Sequence, residues 1–142
     1  MKYEIIISSD EEERVVIYTK EASPTVEKII SVILDSEQRI VGYRGEESVI
    51  LLSDEIECIT VISGKITAIT KNGNYVIKDR LYSLEKALGD DFVRINKSTL
   101  ANIKKIHSFG ASFGGTLMIK FKCGYKDYVS RRQHKTVKER LK

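Results

Sequence analysis

A succession of short apolar runs, many of them β-branched and bounded by turn-forming residues, constrains the fold of this chain more than any other feature. Runs of this kind are typical of β-strands, and helical patterns are few. We therefore predict a mainly β fold of the α+β class with short helices. This pattern excludes a helix-turn-helix regulator, a Rossmann fold and a coiled coil as the main architecture. The strand-like runs occupy residues 3–7, 14–19, 39–44, 49–52, 56–62, 65–70, 75–78, 92–95, 106–109, 116–122 and 127–130.

Three helices are predicted among these strands, over residues 24–36, 80–88 and 131–142. Their apolar residues recur at helical spacing, so each helix should present one apolar face. Ser23 and Ser130 precede the first and the last helix, where a serine hydroxyl can accept a hydrogen bond from the first helical turn.

Two connections carry more specific signals. Asn72-Gly73 predicts a hairpin between the flanking strands because both residues tolerate positive φ. Residues 99–103 are predicted to form a single helical turn.

Charge divides the chain into two unequal parts. Residues 1–50 hold 6 Lys and Arg against 11 Asp and Glu, a net charge of −5, whereas residues 51–142 hold 18 against 9, a net charge of +9. We predict that residues 1–50 form a small acidic β-β-α-β unit with a regulatory or dimerising role, and that residues 51–142 form the larger domain. From Phe92 onward the count is 13 against 2, a net charge of +11, which is typical of a polyanion-binding surface.

Composition also bounds the compartment and the chemistry. No apolar run approaches the roughly 18 residues of a membrane span, and the acidic start is unlike a signal peptide, so we expect a cytoplasmic protein. Cys58 and Cys123 lie far apart and are expected to be reduced thiols. Because Cys and His do not cluster, we predict no metal site and no cofactor.

From about residue 54 onward, the order of motifs resembles the LytTR DNA-binding domain, and the resemblance covers roughly residues 50–142. Two long motifs in the family's order and separation make it specific. The first motif, which in the family reads phe-x-arg-x-his/asn, then arg/asn/lys, ser and a later asn, is matched by Phe92, Arg94, Asn96, Lys97, Ser98 and Asn102. The closing motif is matched by Val129, Ser130, Arg131, Arg132 and Lys135.

The resemblance implies a mostly β domain that inserts loops, not a recognition helix, into successive major grooves of duplex DNA. It also implies two copies on paired direct repeats in promoters, and a homodimer is left open. By position, the family's contacts come from the loop around Lys65, the loop Asn96-Lys97-Ser98 and the segment that starts at Arg131. The full set of predicted DNA-binding residues is Lys65, Asn96, Lys97, Ser98, Lys104, Ser130, Arg131, Arg132 and Lys135.

The chemistry of these side chains suggests different roles. Lysine and arginine neutralise phosphates, and an arginine can also hydrogen-bond guanine O6 and N7 as a fork. We predict that Arg132 reads a base, that Arg131 contacts phosphate and that Lys97 reaches a guanine edge. Lys104 is predicted to line the phosphate track.

Residues 1–50 are too short for the receiver domain that many family members carry in front. The chain therefore resembles the stand-alone members, which are often restrained by a small membrane protein. That inhibitory partner is implied by the resemblance alone.

The residues fit most other function classes less well. A single-strand or RNA binder needs aromatic residues interleaved with cations, and the chain has no Trp and 8% aromatic residues. An enzyme needs a nucleophile beside a base, and neither the cysteines nor His107 and His134 lie in such a signature. The alternative that stays open is a regulatory interaction module whose residues 1–50 bind a protein partner, a membrane protein included, with generic nucleic-acid affinity.

Overall fold

The computed structural model describes residues 1–12, 14–36, 39–111 and 114–141. Its contacts divide the chain into two units, Met1–Asp35 and Ser36–Lys142. Residues 39–50, which the prediction assigned to an N-terminal unit, thus belong to the larger unit.

In the first unit, helix α1 spans Pro24–Ser36 as predicted. The amide of Val26 donates to the hydroxyl of Ser23 at 3.3 Å, which confirms the predicted cap. The prediction of strands at residues 3–7 and 14–19 is wrong, because the described residues there form no strand. Side chains in these runs, such as Ile7 at 97% and Tyr18 at 95% exposure, have no apolar face to cover them, so strand order would gain little there.

The second unit contains two antiparallel sheets. Seven strands pair in the order β2-β1-β5-β4-β3-β7-β6, and three strands pair in the order β10-β9-β8. The strands are β1 (Arg39–Arg44), β2 (Glu47–Leu52), β3 (Ile56–Ile62), β4 (Lys65–Thr70), β5 (Gly73–Val76), β6 (Phe92–Asn96), β7 (Thr99–Asn102), β8 (Ile106–Ala111), β9 (Leu117–Phe121) and β10 (Lys126–Val129). The helices are α2 (Leu81–Leu88) and α3 (His134–Arg140).

Alternation along the strands gives the large sheet two buried faces. In β7, Leu100 packs into the cluster that contains α2, whereas Ala101 packs into the cluster that contains the three-stranded sheet and Val137 of α3. This alternation explains why the predicted helical turn at residues 99–103 is wrong: a strand buries both neighbours, one on each face. The mainly β class with short helices is confirmed.

The β4–β5 hairpin forms as predicted, one residue out of the expected register. Thr70 pairs with Gly73, so Lys71 and Asn72 form the turn. Gly73 takes φ 128° and begins β5, and no positive φ occurs at Asn72. Gly89 ends α2 with φ 67°, a conformation in which glycine is favoured.

Candidate nucleic-acid interface

Two hairpin turns project from one edge of the seven-stranded sheet. Ile59 in β3 lies opposite Leu100 in β7, and continuing this antiparallel register brings the β3–β4 turn level with the β6–β7 turn. The first turn is Ser63-Gly64, with φ 52° and 75°, values that suit a two-residue hairpin. The second turn is Lys97-Ser98, between the paired residues Asn96 and Thr99.

A third segment begins at the same edge. The amide of Ser130 donates to the carbonyl oxygen of Ile95 at 2.9 Å, so the chain leaves β10 beside the end of β6. Lys65, Lys97, Arg131 and Arg132 are all exposed. We call this edge, with its six predicted contact residues, the basic edge; it consists of Lys65, Lys97, Ser98, Ser130, Arg131 and Arg132.

A cleft of about 800 Å³ opens between β6 and the segment that follows β10. Its cations outnumber its acids, because Arg94, Lys97, Arg132 and Arg140 face one carboxylate, Glu85. The cleft is lined by Glu85, Phe92, Val93, Arg94, Asn96, Lys97, Tyr128, Ser130, Arg132, Gln133, Thr136 and Arg140.

Part of this lining was missed by the sequence reasoning. Thr136 and Arg140 follow Arg132 at intervals of four residues, which is the spacing of one helical face. That interval was present in the sequence and could have identified them. Arg140 also reaches back to donate to the carbonyl oxygen of Asp90, which ties the end of α3 to the start of β6.

Arg94 supports the β6–β7 turn from below. Its Nη1 donates to the carbonyl oxygen of Lys97 at 3.0 Å, and its Nη2 lies 3.0 Å from Oε2 of Glu85 in α2. Nε also donates to that carboxylate oxygen, at 3.3 Å. The guanidinium is therefore occupied within the fold and connects the turn to α2.

Asn96 was predicted to contact DNA, and its position is unsuited to that role. It is 3% exposed, its Nδ2 donates to Asp127 and to the carbonyl oxygen of Tyr128, and its Oδ1 accepts from the amide of Ser98 at 2.9 Å. These bonds use both amide hydrogens and an oxygen lone pair. Asn96 therefore shapes the turn that presents Lys97.

Lys104 lies at the opposite edge of the sheet from the basic edge. It follows Asn102, which pairs with Phe92 at the far end of the β6–β7 hairpin. Its ammonium lies 3.4 Å from a carboxylate oxygen of Asp91. The prediction grouped Lys104 with the other contact residues on charge alone, and the strand register separates them.

The predicted cap at Ser130 is also wrong, since its hydroxyl makes no cap hydrogen bond. Instead its carbonyl oxygen accepts from the amide of Gln133 at 2.9 Å, because a short 3-10 turn precedes α3. Lys135 is exposed on α3, one turn away from Arg132.

The two histidines lie in different environments. His134 is half-buried, and its Nε2 lies 3.1 Å from the carbonyl oxygen of Val129. His107 is exposed on β8. Among the residues that the structure describes, no three His, Cys, Asp or Glu side chains come together as metal ligands would.

Within the described ranges, no helix combines the length and the apolar character that crossing a bilayer requires.

Comparison with known proteins identifies relatives along nearly the whole chain. The profile of the LytTr DNA-binding domain matches residues 46–142. Uncharacterised HTH-type transcriptional regulators of Staphylococcus aureus strains NCTC 8325 and COL are each 34% identical over 144 residues, covering 99% of this chain and 98% of the relative.

A solved structure shares the fold. The LytTr DNA-binding domain of a Bacillus cereus protein superposes with a TM-score of 0.67 at 15% identity, covering 72% of this chain and 95% of that chain. The staphylococcal relatives are named HTH-type, yet in the described part of this chain several strands separate each α-helix from the next.

Proposed function

This chain belongs to the LytTR DNA-binding domain family, and we propose that it is a sequence-specific transcriptional regulator that reads short repeats in promoter DNA through the basic edge. The observation that carries this proposal is the meeting of three separate chain segments, each with exposed cations, at one sheet edge. Cations gathered from distant parts of a chain make a compact polyanion-binding surface, which a scattered set of surface lysines does not.

The shape of the edge supports major-groove entry. A B-DNA major groove is about 12 Å wide and admits a two-stranded ribbon. The β3–β4 and β6–β7 hairpins both end in two-residue turns, so each tip is narrow enough to enter. In this arrangement the protein uses turns for contact and has no need of a recognition helix.

We assign the roles by reach and exposure. Arg132, exposed at the cleft, would read a guanine as a bidentate donor, and Lys97 would reach a second base edge. Arg131, Lys65 and Lys135 would neutralise phosphates. The hydroxyls of Ser98 and Ser130 would donate to phosphate oxygens, which fixes orientation without reading sequence.

The test is selection of genomic duplex fragments by the purified chain at physiological salt. We expect a short repeated motif upstream of genes, and we expect Arg132→Ala to abolish its enrichment. Lys71→Ala is the matched control, because Lys71 is an exposed cation in the β4–β5 turn at the opposite edge. Salt-sensitive binding without any enriched motif would mean that the edge is a generic polyanion surface.

A second proposal concerns residues 1–35. Large apolar side chains crowd this unit at high exposure, among them Tyr3 at 89%, Ile5 at 78% and Ile7 at 97%. Apolar groups grouped in this way usually mark an interaction surface. We propose that they meet a second copy of the chain, which would suit a regulator that binds paired repeats.

This second proposal is tested by measuring the molar mass of the full chain and of an Ile5→Asp, Ile7→Asp double variant by light scattering. We expect a dimer that the variant converts to a monomer with its DNA-binding domain still folded. A monomer at every concentration would reject self-association and favour the alternative of a different protein partner, a membrane protein included.

A further inference from the structure

A polar network lies directly beneath the basic edge, centred on the carboxylate of Asp127 in β10. Oδ2 accepts from the hydroxyl of Thr99 at 2.7 Å. Oδ1 accepts from Nδ2 of Asn96 at 3.2 Å and from the amide of Tyr128 at 2.8 Å. One side chain thus contacts both strands that flank the Lys97-Ser98 turn.

The network continues into the strand that leads to the first turn. The hydroxyls of Thr99 and Thr60 lie 2.8 Å apart. An ionised carboxylate only accepts, so Thr99 donates to Asp127 and Thr60 must donate to Thr99. Thr60, Thr99 and Asn96 are at most 3% exposed, and their hydrogen bonds are therefore shielded from competing water.

The network connects every segment of the basic edge. Thr60 is in β3, before the Ser63-Gly64 turn, and Asn96 and Thr99 flank the second turn. Asp127 itself is in β10, three residues before Ser130. Hydrogen bonds to this carboxylate, together with the Ser130–Ile95 backbone bond, therefore connect the turns to the Arg131–Arg132 segment.

Asp127 is an acidic residue beside a basic surface. The ion pairs among the described residues join Arg94 to Glu85 and Lys104 to Asp91, so Asp127 is in neither of them. Burial, and then the charge of Asp127, raises the pKa of Tyr125. A negative charge near a polyanion-binding surface weakens binding by Coulomb repulsion. A structural role of the carboxylate would offset that cost.

We propose that Asp127 is a positioning residue that sets DNA sequence selectivity by holding the Lys97-Ser98 turn and the Arg131–Arg132 segment at a fixed separation. The inference rests on the proposed function, since selectivity presupposes sequence-specific binding. Two contacts that must reach bases at once depend on the distance between them, and phosphate contacts depend on it much less.

Opposite effects on two kinds of DNA are expected from Asp127→Asn. The substitution replaces one of the two oxygens that accept from Thr99 and Asn96 by an amide nitrogen. Affinity for the selected motif should fall about tenfold, as for loss of a hydrogen bond to a charged group. The substitution also removes a negative charge, so affinity for random duplex DNA should stay equal or rise. Asp54→Asn is the control, because Asp54 is exposed at the opposite edge.

A second pair of variants separates positioning from folding. Thr99→Val keeps the side-chain shape and loses the donor, whereas Thr99→Ser keeps the donor. We expect Thr99→Val to lose selectivity and Thr99→Ser to retain most of it, with the salt dependence of random-DNA binding unchanged in both. This pair decides the question even if Asp127→Asn fails to fold.

The outcomes distinguish the two layers of the proposal. If the wild-type chain prefers its motif, and Asp127→Asn and Thr99→Val keep the full preference, the positioning role is rejected and the regulator function stands. An equal rise in affinity for motif and random DNA would also reject it, because Asp127 would then act by charge alone. A wild-type chain with no sequence preference would overturn the proposed function and this inference together.

Discussion

The guanidinium of Arg94 donates to the backbone oxygen of Lys97 at 3.0 Å, so a half-buried side chain holds the turn that carries an exposed cation. The same guanidinium makes an ion pair with Glu85 at 3.0 Å. The positive charge of Arg94 is therefore paired with a carboxylate of the same chain, although the residue lies in the family motif among predicted contact residues. Arg94 therefore stabilises the turn, whereas Lys97, three residues later, is exposed on it.

Arg94→Gln should weaken DNA binding without removing a DNA contact. Loss of the ion pair and of the hydrogen bond to Lys97 should lower the free energy of unfolding by about 1–2 kcal/mol, since the side chain is mostly shielded. Urea denaturation and motif binding would be measured together. Glu85→Gln is the control: it should cost less stability, because the bond between Arg94 and the turn persists. Wild-type stability in Arg94→Gln would contradict the assigned role.

Comparing Lys97→Gln with Lys104→Gln should show which edge of the sheet binds DNA. Each removes one exposed positive charge, but only Lys97 lies on the basic edge. We expect Lys97→Gln to reduce motif affinity, with any phosphate contact appearing as a salt slope smaller by about 0.9. Lys104→Gln should leave affinity and slope unchanged, because its ammonium faces Asp91. Equal losses in both variants would show that net charge, not the edge, governs binding.

Asn102→Ala should destabilise the fold more than any surface change considered above. The side chain is 1% exposed, and its Nδ2 donates to the carbonyl oxygens of Ile56 at 2.9 Å and Ser53 at 3.4 Å, while its Oδ1 accepts from the amide of Lys104. Removing it takes a donor from the carbonyl oxygen of Ile56, a fully buried residue, at about 2–3 kcal/mol. Thermal or urea unfolding would measure the loss. Unchanged stability would mean that water replaces the amide.

The two cysteines should differ in reactivity. Cys58 is buried, and burial, followed by the charge of Asp127, raises the pKa of its thiol, so the reactive thiolate stays scarce across the neutral range. Cys123 is exposed. A thiol reagent at pH 8 should label Cys123 quickly in the folded chain, and both cysteines after denaturation. Fast labelling of two cysteines in the native protein would contradict the burial of Cys58.

Most strands of the larger unit could be predicted from local pattern, because β-branched runs and turn residues act over a few positions. Residues 56–62 and 65–70 were predicted with the bounds that the structure has. The predicted helical turn at residues 99–103 contains the four-residue strand β7, and four residues carry too little periodicity to identify a strand. Residues 3–7 show the converse error: they have strand composition, but strand order also needs a partner, which composition does not specify.

The candidate site was predicted as a set of charged residues and motif matches, and it divides in the structure. Arg132 and Lys97 both line the cleft, Asn96 is a buried part of its lining, and Lys104 is at the other edge. Charge and motif order are properties of the sequence, whereas burial and shared edges depend on strand register across distant segments.

The mainly β fold, the basic region from Phe92 onward and the family motifs were predictable from the order of residues, because each of these depends on residues close together in the chain. Which cations share an edge, and which polar side chains are hydrogen-bonded internally, depends on how distant segments pack in three dimensions. Asp127 illustrates the difference. Its hydrogen bonds to Asn96 and Thr99 span about thirty residues of sequence, and no local pattern reports a contact made over that separation.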